Sequence, residues 1–510
     1  MSDNRRLAKN TIYLYIRMLL VMAVSIYTSR IVLAAMGVVD YGIYNVVGSV
    51  VALFSFLQTA MANASHRFIA YALGKKDTDN LKKIFSTSVE LHFIIAIAIV
   101  ILSETIGLWF FYNKLVIPDE RMTAAMWVLQ ISIVSCFFSI CLVPYNAAII
   151  AHERMKFYAY VSIVDVFMKL GVAFLITVIP FDKLVVYALL LLLFQIMIFI
   201  IYAVYCRRYF LEARFLLVYD KPLFKEMATY AGWNLFGHMS SSVSVQGRNM
   251  LLNVYFGPVL NAARGVAQQV ENAVMQFIMN FLTAVSPQIT KSYAANEKER
   301  MHFLIFASTK LSFVLYVLIA FPLFLELDQI LSVWLVEVPE HTNNFLRLLI
   351  LTNMSSSFFQ PLNQSCMATG KAGKFLAARG ITSLMILLFV FIVFSMGGIP
   401  ESMYFVEIVL LYLSVYIQLS IVAPLIDLSK WKYFKKTVFR LAILLLTAVP
   451  VPTIVWMIMP VGLLRFLVVC VLCVINVLAS AYFIGLEKQE KQMVMGLLME
   501  KVPFMKKIIQ

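Results

Sequence analysis

Four arginines, Arg17, Arg30, Arg248 and Arg264, fall inside segments that are otherwise apolar enough to lie within a membrane. A guanidinium at that depth needs water, a lipid phosphate or a bound anion, because hydrocarbon is a costly place for charge. Its planar fork stays charged and matches phosphate oxygens two at a time. These four therefore read as candidate contacts for an anionic substrate. Arg30 reads equally well as an interfacial anchor, and for Arg465 snorkelling to the membrane edge is the better reading. Arg67, Lys310 and Arg347 sit near helix ends and read as anchors.

The neighbours of Arg248 and Arg264 are polar in register. Over 229–255, a spacing of 100° per residue gathers Asn234, His238, Ser241, Ser242, Arg248 and Asn249 into an arc of about 120°. Over 258–285, Asn261, Arg264, Gln268, Glu271, Asn272, Gln276 and Asn280 follow in steps of three and four. Two consecutive polar stripes are expected to be two walls of one aqueous cavity. Asn234, Ser241, Gln268 and Asn272 are its candidate polar contacts. Asp165, Lys169, Glu271 and His238 are candidates for ion coupling. Asp165 and Lys169 lie four apart and pair equally well as a structural element. His238 alone reads as a buried histidine with a partner, and the serine run also suits close helix packing.

Nothing else in the chain resembles a reaction centre. It has no Walker loop, no HExxH, no GxSxG and no paired carboxylates on an exposed loop. Cys470 and Cys473 form a CxxC with no second pair and no nearby histidine, a spacing that reads as helix packing. The expectation is a protein that is not an enzyme and carries no metal or cofactor.

The elements that must position these side chains follow from composition. Of the 510 residues 62% are hydrophobic and only 14% charged, with a mean hydropathy of +0.86. That composition predicts an all-α polytopic membrane protein. Fourteen spans are expected, at 10–36, 41–64, 87–112, 122–147, 157–179, 185–206, 229–255, 258–285, 303–326, 345–366, 376–398, 402–426, 438–460 and 463–485. Each is long enough to cross about 30 Å of hydrocarbon. With the N-terminus placed in the cytoplasm, 30 Lys and Arg fall in inside segments and three in outside loops. The positive-inside rule thus places both termini in the cytoplasm. The net charge of +15 faces lipid headgroups and cytoplasm, and no nucleic-acid partner is needed to account for it.

The chain also repeats itself. At an offset of 222, Tyr71 and Ala72 meet Tyr293 and Ala294, and Ser86 meets Ser308. At an offset of 221, Pro118 meets Pro339, and Phe137 and Phe138 meet Phe358 and Phe359. The unit is six helices, so both halves start on one side and are related by a pseudo-two-fold along the membrane normal. The expected organisation is an N-lobe over 1–211, a cytoplasmic linker over 212–228, a C-lobe over 229–428, and two extra helices with a tail over 429–510.

Three stretches, "SRIVLAAMGVVDYGIYNVVGSVV", "VPYNAAIIAHERMKFYAY" and "YAGWNLFGHMSSSVSVQGRNMLLNVYFGPVLNAARGVAQQV", resemble bacterial polysaccharide flippases of the O-antigen (Wzx) type. These belong to the multidrug/oligosaccharidyl-lipid/polysaccharide exporter superfamily. The resemblance implies transfer of an undecaprenyl-diphosphate-linked oligosaccharide to the outer leaflet of the bacterial plasma membrane, for surface polysaccharide assembly. It further implies a lipid-linked oligosaccharide as substrate, membrane lipids and a polysaccharide polymerase as partners, and a cationic cavity between two lobes. Related flippases of peptidoglycan precursors carry cavity arginines on the first and eighth spans, which Arg17 and Arg264 match by span and depth. On this reading Arg17, Arg248, Arg264 and Arg30 meet the diphosphate, and Asn234, Ser241, Gln268 and Asn272 meet sugar hydroxyls. Two other readings compete: a cation-coupled multidrug antiporter of the same fold, and a membrane glycosyltransferase or polymerase. The first wants acidic residues in the cavity, the second an extended outer loop with catalytic groups.

Overall fold

The computed structural model describes residues 2–54, 62, 65, 68–69, 72–73, 78–152, 154–213, 220–369 and 371–492. For residues 2–17, 228–238, 283, 284, 287 and 294 it describes the backbone alone. Among the described residues there are helices and no strands, as hydrocarbon demands of a chain whose backbone must satisfy its own hydrogen bonds.

Helix α1 (Ser2–Ala52) turns at Gly37, where φ is +79°, so it holds the first span and the start of the second. The rest of the second span lies outside the described residues. Next come α2 (Thr78–Leu102), α3 (Met122–Ala151), α4 (Met155–Val178) and α5 (Lys183–Tyr209). Helix α2 runs through a π-helical turn, Ser103–Gly107, into Leu108–Asn113. Then follow α6 (Lys221–Phe256), α7 (Pro258–Ala294), α8 (Lys298–Leu325), the short α9 (Leu327–Trp334), α10 (Thr342–Asn353), α11 (Ser356–Ala368), α12 (Gly373–Ser395) and α13 (Ser402–Leu425). The C-terminal hairpin is built from α14 (Phe439–Ala448), α15 (Pro450–Ile458) and α16 (Leu463–Ser480).

Ten helical segments among the described residues are long and apolar enough to cross a membrane. The other four expected spans have identifiable reasons for falling short. The second continues α1 across the Gly37 kink. The seventh and eighth, α6 and α7, are too polar. The tenth is broken at Met354 and Ser355 into α10 and α11. The protein is an all-α polytopic membrane protein.

Local chemistry sets the boundaries. Asp182 caps α5 by accepting from the backbone N–H groups of Leu184 and Val185 at 3.1 and 3.2 Å. Asp220 caps α6 through Leu223 N–H at 3.1 Å. Gly257, at φ +83°, ends α6 in a conformation that favours glycine, and Pro258 opens α7 where no N–H is needed.

Contacts divide the chain into two compact units. One comprises Met1–Val266, Trp334–Thr342 and Ser383–Met403; the other comprises Ala267–Val333, Asn343–Thr382 and Tyr404–Gln510. In the first, α3 packs on α5 and α2, and α1 on α4. Its core includes Phe85, Tyr145, Ala148, Tyr202 and Cys206. One arginine, Arg121, ties three segments together: it meets Asp40 of α1 at 2.7 and 2.8 Å and Asp182 before α5 at 2.6 and 3.1 Å. His341 and Glu401, close to the positions that the repeat pairs with Arg121 and Asp182, also pair, at 2.5 Å.

In the second unit, α8 is the central post, packed by α11 and α16. Here two expectations are corrected. Arg465 does not snorkel to the membrane edge: it is buried, donates to Glu326 at 2.8 Å and lies over Trp456. Lys310 does not anchor at an interface either, since it is fully buried and 2.6 Å from Glu490. Both cations found a carboxylate remote in sequence, which removes the need to reach water. Arg347 meets Asp328 at 2.8 Å and lies over the Phe324 ring.

Candidate functional site

The polar half of α6 and the start of α7 meet α1 within the first unit, and the approach is unusually close. A Cβ added to Gly42 would sit 2.0 Å from the Pro258 carbonyl oxygen, and one on Gly265 would sit 3.0 Å from the Asn45 side chain. Small residues at these two points let the α1 and α7 backbones come together, as in other close membrane helix crossings.

Side-chain amides then lock the junction. Asn261 donates to both the carbonyl and the side-chain oxygen of Asn249, at 2.8 and 2.9 Å. Asn249 reaches the Asn45 carbonyl at 3.5 Å, and Ser242 donates to the carbonyls of Ala52 and Leu53 at 3.2 and 3.0 Å. Asn253 accepts from Val116 N–H at 2.8 Å and donates to Val116 C=O at 3.2 Å, so it acts like a strand partner for that loop. Much of the α6 stripe is thus spent holding α1 and the 114–118 loop in place.

Arg248 and Arg264 stand inside this frame, 6% and 7% exposed. Nε of Arg248 donates to the Ser244 carbonyl at 3.2 Å, and an Nη of Arg264 donates to the Val245 carbonyl at 3.3 Å. The acceptors are consecutive residues of α6, so the two charges sit at one level. Two guanidiniums at one level make this part of α6 cationic, the charge that an anionic group would meet.

Other expected residues fall elsewhere. Arg30 is half-buried on α1 before the Gly37 turn, and Ser241 is half-buried on α6. The side chains of Arg17, Asn234 and His238 lie outside the described residues, as does Arg67. Asp165 and Lys169 pair with each other along α4 at 2.7 Å. In the second unit the α7 stripe splits. Gln268 donates to the exposed Asn272 at 3.0 Å, and the exposed Gln276 to Asn280 at 3.2 Å. At membrane depth an exposed row of amides requires water. Glu271 turns the opposite way and is completely buried, accepting from the Tyr316 hydroxyl at 2.8 Å. Two residues had been missed. Glu104, in the π-helical turn after α2, accepts from Gln130 at 3.1 Å, and its charge at membrane depth was a legible signal. Tyr316 had none, since one tyrosine among 24 carries no mark of its partner.

The chain belongs to the MatE family, whose model matches residues 10–175 and 235–393. Three solved structures share the fold. A multidrug resistance MATE family transporter of the MOP superfamily, inward-facing, has a TM-score of 0.63 at 16% identity, covering 81% of this chain and 96% of its own. The lipid II flippase MurJ, in an inward closed conformation, has a TM-score of 0.70 at 14% identity, with coverage of 93% and 98%. A MOP superfamily transporter from Pyrococcus furiosus, described by a reverse polarity of its binding pocket that suggests a different function, has a TM-score of 0.60 at 14% identity, with coverage of 82% and 96%. No curated protein matches the chain.

Proposed function

We propose that the protein is a flippase that moves an undecaprenyl-diphosphate-linked oligosaccharide from the cytoplasmic to the outer leaflet of the bacterial plasma membrane, feeding a polysaccharide polymerase in surface polysaccharide (O-antigen) assembly. The observation that carries the reading is the Arg248–Arg264 pair, two cations held at one level of α6. A diphosphate is the natural complement of two guanidiniums, whereas a cationic drug is repelled by them. Arg17 and Arg30 extend the anion path along α1. Asn234, Ser241, Gln268 and Asn272 offer hydrogen bonds to sugar hydroxyls, with Gln268 and Asn272 already joined in a polar row. The six-helix lobes, 1–211 and 229–428, alternate access to the site, with both termini in the cytoplasm.

The competing reading is a cation-coupled multidrug antiporter, favoured by the multidrug description of one structural neighbour. The share of chain matched argues for the flippase, because the lipid II flippase covers 93% of it and the multidrug transporter 81%. The test is purified protein in proteoliposomes carrying a fluorescent undecaprenyl-diphosphate oligosaccharide in the inner leaflet. Wild type moves the lipid outward and Arg264→Ala does not. Extrusion of a cationic dye by a protein that leaves the lipid in place would decide for the antiporter.

A further inference from the structure

One buried carboxyl is not used by the substrate reading, and its hydrogen bonds point to its protonation state. The Tyr316 hydroxyl of α8 lies 2.8 Å from Oε1 of Glu271 on α7 and 2.9 Å from the Ile350 carbonyl on α10. Both separations are those of O–H···O hydrogen bonds, and each such bond contains one proton. A phenol brings one proton and a carbonyl brings none. Two full bonds therefore need a second proton, and Glu271 is the group able to hold it. The surroundings agree. Glu271 is 0% exposed, and none of the ion pairs among the described residues includes it. From α10 it faces Asn353 beside the Ile350 carbonyl, and from α8 it faces Tyr316. Tyr412 of α13, whose hydroxyl donates to Leu351 at 3.3 Å, stands behind Tyr316. Arg264 lies two turns earlier on the same helix. An ionised carboxylate in such a place is costly, and a neutral one that donates a hydrogen bond is not.

We infer that Glu271 is a proton-carrying site of the transport cycle, read out by Tyr316 onto the end of α10. In the protonated state Glu271 donates to Tyr316, and Tyr316 donates to Ile350. When the Glu271 proton passes to water, the carboxylate becomes the stronger acceptor and the phenol turns its single proton to it. Ile350 then keeps only its helical bond from Met354 N–H, at 3.2 Å. Met354 is also where α10 breaks from α11, between Asn353 and Ser356. Loss of the phenol bond thus falls on a span that is already divided at its middle. Proton loss at Glu271 loosens α10 from α8, and proton gain ties them. This site rests on the transporter reading for its purpose, while its protonation is independent of any substrate.

The test separates the two. Infrared difference spectra of the purified protein, wild type against Glu271→Gln, are recorded through an alkaline titration without substrate. A protonated-carboxyl C=O band present at neutral pH, absent in Glu271→Gln and lost on alkalinisation, supports the site. Tyr316→Phe should move the pH at which the band disappears, which a purely structural tyrosine would not do. In proteoliposomes, an imposed proton gradient should change lipid transport several-fold in wild type and leave Glu271→Gln unresponsive. A neutral-pH carboxyl band that is the same in wild type and Glu271→Gln would show an ionised Glu271 sharing one tyrosine proton, and overturns the proposal. So does a full response to the gradient in Glu271→Gln. If the band is present but the oligosaccharide lipid is never moved, the flippase reading fails and the protonated carboxyl stands.

Discussion

Arg248 and Arg264 donate to the carbonyl oxygens of consecutive residues, Ser244 and Val245, at 3.2 and 3.3 Å. Two cations from successive helices thereby share one turn of α6. Two like charges brought together in a buried frame repel, and an anion relieves that repulsion. Removing one should accordingly cost substrate and spare the fold. Arg248→Ala and Arg264→Ala are each expected to lower transport of the lipid-linked oligosaccharide at least tenfold, with thermal stability equal to or above wild type. A matching loss of folded protein in detergent would assign the pair a structural role.

Gly42 and Gly48 make a matched contrast on α1. A Cβ at Gly42 would lie 2.0 Å from the Pro258 carbonyl oxygen, while one at Gly48 would meet nothing within 4 Å. Gly42→Ala must push α1 and α7 apart, at about 1–3 kcal/mol. Gly48→Ala should be neutral or stabilising by up to about 1 kcal/mol, because helical glycine carries the larger entropy cost. Melting curves of the two variants should shift in opposite directions.

Arg465 and Glu326 form a buried pair 2.8 Å apart at the end of α8 and the start of α16. Arg465→Ala leaves a buried carboxylate without its cation, a loss of about 3–5 kcal/mol. The double variant Arg465→Met, Glu326→Gln removes both charges and should recover most of it. Thermal unfolding of wild type, Arg465→Met, Glu326→Gln and the double variant completes the cycle, and additive losses would show that the two groups do not interact.

Asp182 gives the chain an acid-sensitive contact. Its burial would raise the carboxyl, but the hydrogen bonds from Arg121 and from the first turn of α5 outweigh that and hold it below its ordinary value. A carboxylate lowered in the folded state adds stability that is present above the unfolded value near 4 and is lost as pH falls through the folded one. Melting temperature should therefore fall less steeply on acidification below about pH 4 in Asp182→Asn than in wild type. Parallel curves would remove Asp182 from the acid response.

The sequence made the membrane helices legible because a span needs a long apolar run and little else. Even the two polar spans could be read, since Gly257 and Pro258 punctuate them so sharply. What periodicity did not reveal was the use of each polar atom. Ser242 and Asn249 belong to the same polar arc as Arg248, yet they are turned to carbonyls of α1, partners that only the folded chain supplies. Arg465 and Lys310 were misread for the same reason, as Glu326 and Glu490 lie far away in sequence. Glu271 was expected on the stripe with Gln268 and Asn272, but a rotation of 100° at Asn272 separates a buried side from an exposed one.

The central claim is the identity of the cargo, and the most direct measurement is mass spectrometry of lipid-linked intermediates in cells lacking the gene. The flippase account predicts that an undecaprenyl-diphosphate oligosaccharide accumulates, that surface glycan is lost, and that the gene restores both whereas its Arg264→Ala form does not. Unchanged lipid-linked intermediates with normal surface glycan would contradict it.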